Sequence, residues 1–129
     1  MGLFKRKPSR FVDEASFMRN RANQMRMAPA TLEQLRPHGV TAHTLLKLEY
    51  FFYTDTPEKG AALALTLAGF GYLVVHEQAA GDQRLRVITG WTQPMQMSDE
   101  VVVAWSGRMC EVGFEHDSEF DGWGTTPEQ

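Results

Sequence analysis

Between Thr44 and Tyr53 the side chains alternate, with Leu46, Leu48, Tyr50 and Phe52 in one set and Lys47, Glu49, Phe51 and Tyr53 in the other. A period of two marks a strand with one buried face. Upstream, Phe11, Ala15, Met18, Ala22 and Met25 recur at steps of three and four, the stripe of an amphipathic helix, with Arg19, Asn20 and Arg26 facing outward. Pro29 should break that helix. Thr31 to Gln34 has capping-box spacing, so a second short helix is expected to follow and to stop by Pro37 and Gly39. Residues 1 to 10 carry no period and read as a flexible arm.

Downstream of the first strand, Thr56 is an N-cap candidate and Pro57 fits the first helical position, where its missing N–H costs nothing. Leu63 and Leu67 should pack this helix onto a sheet. Gly69 and Gly71 end it, and Tyr72 to Gln78 form the second strand. Ala80-Gly81-Asp82 is a turn signal, after which Leu85, Val87, Thr89 and Trp91 alternate with Arg84, Arg86 and Ile88, so the second and third strands should form a hairpin. Pro94 closes that strand, and Ser98 caps a helix whose stripe is Val102, Trp105, Met109 and Val112. Glu119 to Thr125 is the last strand, with Gly122 and Gly124 permitting a bulge.

Strand, helix, strand, strand, helix, strand, joined by right-handed crossovers, gives an α+β chain: a ferredoxin-like βαββαβ two-layer sandwich with an N-terminal helical extension. The expected division is a basic arm and amphipathic helix over 1–30 and the sandwich over 31–129. With 129 residues, 43% of them hydrophobic, a single compact core is feasible and a second one is not. Apolar runs such as Ala61 to Leu65 fall far short of the ~20 residues of a membrane-spanning helix. The charged opening Lys5-Arg6-Lys7 runs into Pro8, Ser9 and Arg10 rather than an apolar signal segment, so a cytoplasmic location is the expectation.

Charge is uneven along the chain. Up to Met27, Lys5, Arg6, Lys7, Arg10, Arg19, Arg21 and Arg26 face Asp13 and Glu14, a net of +5. From Asp99 onward, Asp99, Glu100, Glu111, Glu115, Asp117, Glu119, Asp121 and Glu128 face only Arg108, a net of −7. An acidic end repels nucleic acid and suits a basic protein partner, whereas the Leu3 to Lys7 arm carries the charge of a segment that touches anionic lipid.

Reaction chemistry is poorly represented. His38 and His43 flank a Gly39 loop with no third ligand nearby, and His116, Asp117, Glu119 and Asp121 lack the ligand order of a calcium loop. Neither group is expected to hold a metal. Cys110, the one cysteine, falls in a helix one step from the buried stripe and reads as an inert buried thiol. No nucleophile elbow, phosphate loop or zinc-protease motif occurs, so no enzyme activity and no cofactor are expected. An open sheet face carrying Phe51, Tyr53, Tyr72, His76, Arg86 and Ile88 offers a second reading, in which aromatic residues stack the bases of single-stranded RNA. Glu49 among them opposes phosphate, and the aromatic RNA-binding signature of such sheets is absent.

The closing run Glu119-Phe120-Asp121-Gly122-Trp123-Gly124-Thr125 resembles the ribonuclease E regulator B (RraB) family. The likeness extends upstream to Leu35 to Gly39, Leu48 to Thr56 and Gly71-Tyr72, and covers roughly Thr31 to Thr125. It implies a small bacterial protein that binds ribonuclease E and lowers its cleavage of RNA, a protein ligand and not a catalyst. The acidic end of the chain fits that role, and the partner-binding residues expected there are Glu111, Glu115, Asp117, Glu119, Asp121 and Trp123, a handle for the basic parts of a nuclease, of which the resemblance carries over only Asp121 and Trp123, as motif positions. For Trp123 a second expectation is that it fills core space at a glycine-enabled bend.

Overall fold

The computed structural model describes residues 9–129; the Leu3 to Lys7 arm lies outside the described residues. The chain runs α1 (Glu14–Leu35), β1 (Leu45–Leu46), β2 (Glu49–Thr54), α2 (Pro57–Gly69), β3 (Leu73–Gln78), β4 (Arg86–Trp91), β5 (Met95–Gln96), α3 (Asp99–Glu115) and β6 (Glu119–Gly124). Four strands form an antiparallel sheet in the order β3-β4-β2-β6, and β1 pairs with β5 in a second antiparallel sheet of two strands. The fold is thus mixed, helices on sheet.

The helices start where local chemistry satisfies their first N–H groups. Asp13, Thr56 and Ser98 each take extended backbone and accept from the N–H three residues on, at 2.7, 3.2 and 3.2 Å. Leu63 and Leu67 of α2 and Met109, Cys110 and Val112 of α3 pack on Tyr50, Phe52, Ile88 and Phe120 of the sheet. A second core gathers Ala28 and Leu32 of α1 with Val40, Leu46, Leu48, Met97 and Val102. Trp105 and Trp123 touch both.

The strand expected over Thr44 to Tyr53 keeps its inward set, since Leu46, Leu48, Tyr50 and Phe52 are all buried. It divides at Leu48, whose N–H donates to Thr92 Oγ1 and whose carbonyl accepts from the Thr92 N–H, both at 2.9 Å. That side-chain bond replaces the regular ladder, and the chain ahead of it pairs with β5 instead.

Two expectations about α1 are overturned. Pro29 lies inside one continuous helix, which also absorbs Thr31 to Gln34. An interior proline costs about 3 kcal/mol, and burial of Ala28 and Leu32 on either side of it offsets that cost. The inward stripe is also rotated: Ala15, Met18 and Ala22 are exposed, while Phe17, Gln24, Ala28 and Leu32 face in. Asn20, expected outside, donates to the Phe120 carbonyl at 2.8 Å. The reason is the surface α1 meets. It packs beside α3 with Phe17 stacked on Phe114 at 4.4 Å, Arg21 bonded to Glu111 at 3.0 Å and Met25 over Gly107, a seam whose polar groups are met by polar groups.

Candidate protein-docking site

Residues directly opposite in an antiparallel pair share a face. The register pairs Tyr50 with Gly90 and Phe52 with Ile88, so Arg86, Ile88 and Gly90 point toward the helices. In β3 the partners of these residues are Gln78, His76 and Val74. The other face therefore carries three rows: Leu73–Trp91–Glu49–Gly124, Val75–Thr89–Phe51–Gly122 and Glu77–Val87–Tyr53–Glu119. Among the described residues α2 and α3 lie on the opposite face, and α1, which packs on α3, borders this face only at its β6 edge, where Gln24, Met27 and Thr31 line a cleft with Phe51 and Gly122.

This corrects the expected open face. Phe51 and Tyr53 do lie on it. His76, Arg86 and Ile88 do not, because β3 and β4 are each phased one residue differently from the expectation and a one-residue slip exchanges the two faces. Ile88 is fully buried in the main core. Arg86 Nε donates to His76 Nε2 at 3.2 Å, and the His76 ring fills the space where a Cβ on Gly60 would stand. Burial, then the neighbouring Arg86 charge, lowers the His76 pKa, so the ring stays a neutral acceptor. Tyr72 precedes β3 and sits against Tyr50, its hydroxyl accepting from Trp105 Nε1 at 3.2 Å. The residues missed were Leu73, Val75, Val87, Thr89 and Trp91. Gly90 was the available signal, because a residue without a side chain in a central strand marks a close approach on its own face.

The acidic residues of the C-terminal part do not form one surface. On α3, Glu111 pairs with Arg21 at 3.0 Å and Glu115 with Arg108 at 3.5 Å. Asp117 accepts from the backbone N–H groups of Phe11 and Val12 and from Lys59 Nζ, each at 2.8 Å, and holds the chain ahead of α1 against the end of α3. Arg10 completes this knot, over the Phe114 ring and bonded to the Phe114 carbonyl. Glu119 and Asp121 are exposed, and among the described residues neither forms an ion pair. Partial desolvation of its carboxyl at the sheet edge, then the Asp121 charge, raises the Glu119 pKa.

Asp117 is consequently a structural group. Burial pushes its carboxyl up, but the Lys59 ammonium and the Val12 and Phe11 N–H groups outweigh that and leave the pKa below its ordinary value. Such a carboxylate stabilises the fold above its unfolded pKa and loses that contribution as pH falls through the folded pKa. Asp117 has φ 50°, which asparagine also tolerates, so Asp117→Asn removes the charge without straining the backbone. Urea denaturation should show a loss of about 1.5–3 kcal/mol at neutral pH, narrowing as pH drops below about 4. An equal loss at every pH would show that the charge is not what ties the segment down.

The Asp121-Gly122-Trp123-Gly124 segment forms the bulge that the glycines suggested. The β2–β6 register shifts between Phe51 and Phe52, and Gly122 takes φ 136°, a conformation closed to most side chains. The extra residue turns Trp123 inward opposite Tyr50, its ring edge-on to Trp105 at 6.3 Å. Beside the bulge a cleft of about 250 Å³ is lined by Gln24, Met27, Thr31, Phe51, Asp121, Gly122 and Trp123. Cys110 is buried as expected, its thiol pushed up to about 12 by burial. Among the described residues no group of His, Cys, Asp and Glu has a metal site's arrangement, and no helix is long and apolar enough to cross a membrane.

The class that the fold defines is a mixed α/β module, an antiparallel sheet backed by helices on one face, with apolar residues and three carboxylates on the other. The family model for RraB, regulator of ribonuclease activity B, matches residues 27–125, which include all four strands of the main sheet, α2 and α3. The chain belongs to this family of ribonuclease regulators. No curated protein matches it.

Proposed function

We propose that this chain binds ribonuclease E and lowers its cleavage of RNA as a non-catalytic, cytoplasmic protein ligand on a ferredoxin-like scaffold. The observation that carries the reading is membership of the ribonuclease-regulator family across most of the chain. The sheet order β3-β4-β2-β6 with α2 and α3 on one face supports the scaffold. Among the described residues, the three rows of the open face bear Glu49, Glu77 and Glu119 and no Lys or Arg, which favours a basic protein surface over an RNA strand.

The expected result is that the purified protein, in molar excess, slows cleavage of a structured RNA by ribonuclease E and is retained on the immobilised nuclease. Retention should weaken as salt screens the carboxylates. Cleavage at the same rate with and without the protein, together with no retention at low salt, would overturn the reading.

A further inference from the structure

The open face of the main sheet has the composition of an interface core and the charge of only one kind of counterpart. Leu73 and Val75 are 68% and 51% exposed on it, next to the half-buried Trp91, Phe51, Tyr53 and Val87. Contiguous apolar surface of this kind on a soluble protein marks a binding site. Glu49 lies in the first row, Glu77 and Glu119 at the two corners of the third, and among the described residues no Lys or Arg falls in these three rows. We infer that this face docks an extended polypeptide segment of the partner in which apolar side chains are flanked by Lys or Arg. This rests on the proposed function and names the surface that performs it.

Size and charge select that occupant. Four strands about 4.8 Å apart and six residues long at about 3.4 Å each present roughly 400 Å², half of the ~800 Å² per side that a standard interface between folded proteins buries. A segment fits that area and a second globule does not. A second copy would also set three carboxylates against the same three, unpaired. Single-stranded RNA finds rings to stack on here, but its phosphates would meet carboxylates where RNA-binding sheets supply cations. An apolar segment with basic ends instead covers Val75, Phe51 and Val87 while its cations reach Glu49, Glu77 and Glu119.

The test uses the full chain. Leu73→Lys with Val75→Lys, and Glu77→Lys with Glu119→Lys, change side chains that point into solvent. Leu65→Lys, at a position 77% exposed on α2 in the other layer, is the control. Each face pair should weaken binding to immobilised ribonuclease E by about tenfold or more, with an unchanged urea midpoint, and Leu65→Lys should not. The second probe is a short synthetic peptide of Leu and Phe flanked by Arg. Its amide shift changes should fall on the three rows, and a counterpart with Glu in place of Arg should give none. Both face pairs binding the nuclease within about twofold of wild type would overturn the inference while leaving the proposed function standing. A wild-type chain that fails to bind the nuclease would sink the proposed function, and the peptide would still decide the surface. Peptide shifts elsewhere or absent, a dimer that Val75→Lys dissociates, or oligouridylate shifting the same rows would each overturn it.

Discussion

Gly90→Ala is expected to cost about 3–5 kcal/mol, enough to remove much of the 5–15 kcal/mol that holds a typical domain together. Gly90 lies mid-strand in β4, between β3 and β2, with its missing side chain on the helix-facing side opposite Tyr50 and Val74. A Cβ there would overlap the Leu73 carbonyl oxygen, far inside van der Waals contact, and stand 2.7 Å from the Tyr50 hydroxyl. Those two atoms are themselves bonded, Tyr50 donating to Leu73 at 2.8 Å. The added methyl therefore pushes on backbone, which cannot swing away as a side-chain tip can, and breaks a hydrogen bond whose donor has nowhere else to go. Propensity predicts the opposite sign, because alanine loses less freedom on folding than glycine. Gly69→Ala supplies the comparison: at the last residue of α2 a Cβ meets nothing within 4 Å, so the same chemical change should stabilise by about 0.4–1 kcal/mol. Paired urea curves read both. Equal effects at the two positions would show that β4 yields and that the close approach is not a constraint.

The contrast between these glycines indicates which parts of the molecule the chain's pattern reveals. Leu46, Leu48, Tyr50 and Phe52 were legible because β2 buries one face in apolar surroundings, where only apolar side chains serve. The same holds for Val102, Met109 and Val112 on α3. Legibility failed where polar groups do the packing. On α1 the inward positions include Asn20, Arg21 and Gln24, whose partners are the Phe120 carbonyl, Glu111 and Asn20 itself. A reading that equates inward with apolar turns that helix to the wrong side. On β4 the inward Arg86 is satisfied by His76 and the inward Gly90 by the approach of Leu73, so apolar Val87 and Trp91 are left to the open face. The carboxylates were legible as residue types only. Asp117 meets Phe11 and Val12 across more than a hundred residues of chain, and no local pattern records that contact. Glu49, Glu77 and Glu119 become one constellation only after register puts three strands side by side.

Trp123 tests the part of the family likeness that is most local, and Trp123→Ala is expected to lower stability by about 3 kcal/mol. Its ring joins the two cores, lying edge-on to Trp105, which in turn lies edge-on to Phe120 at 5.8 Å and donates to Tyr72. Removing it deletes aromatic contact on both sides of that junction, and a side chain of one carbon cannot hold the β6 bulge against Tyr50. Trp123→Phe, which keeps a ring, should recover most of the loss. The expectation that Trp123 itself binds the partner makes a different forecast: normal urea midpoints for both variants and weaker retention on ribonuclease E. Measuring both quantities on both variants separates the two. A shifted midpoint for alanine, restored by phenylalanine along with binding, assigns the residue to the core, and the open face keeps the partner. An unchanged midpoint with binding lost would move the docking surface from the sheet face to the cleft beside Gly122, where Trp123, Asp121 and Phe51 already meet.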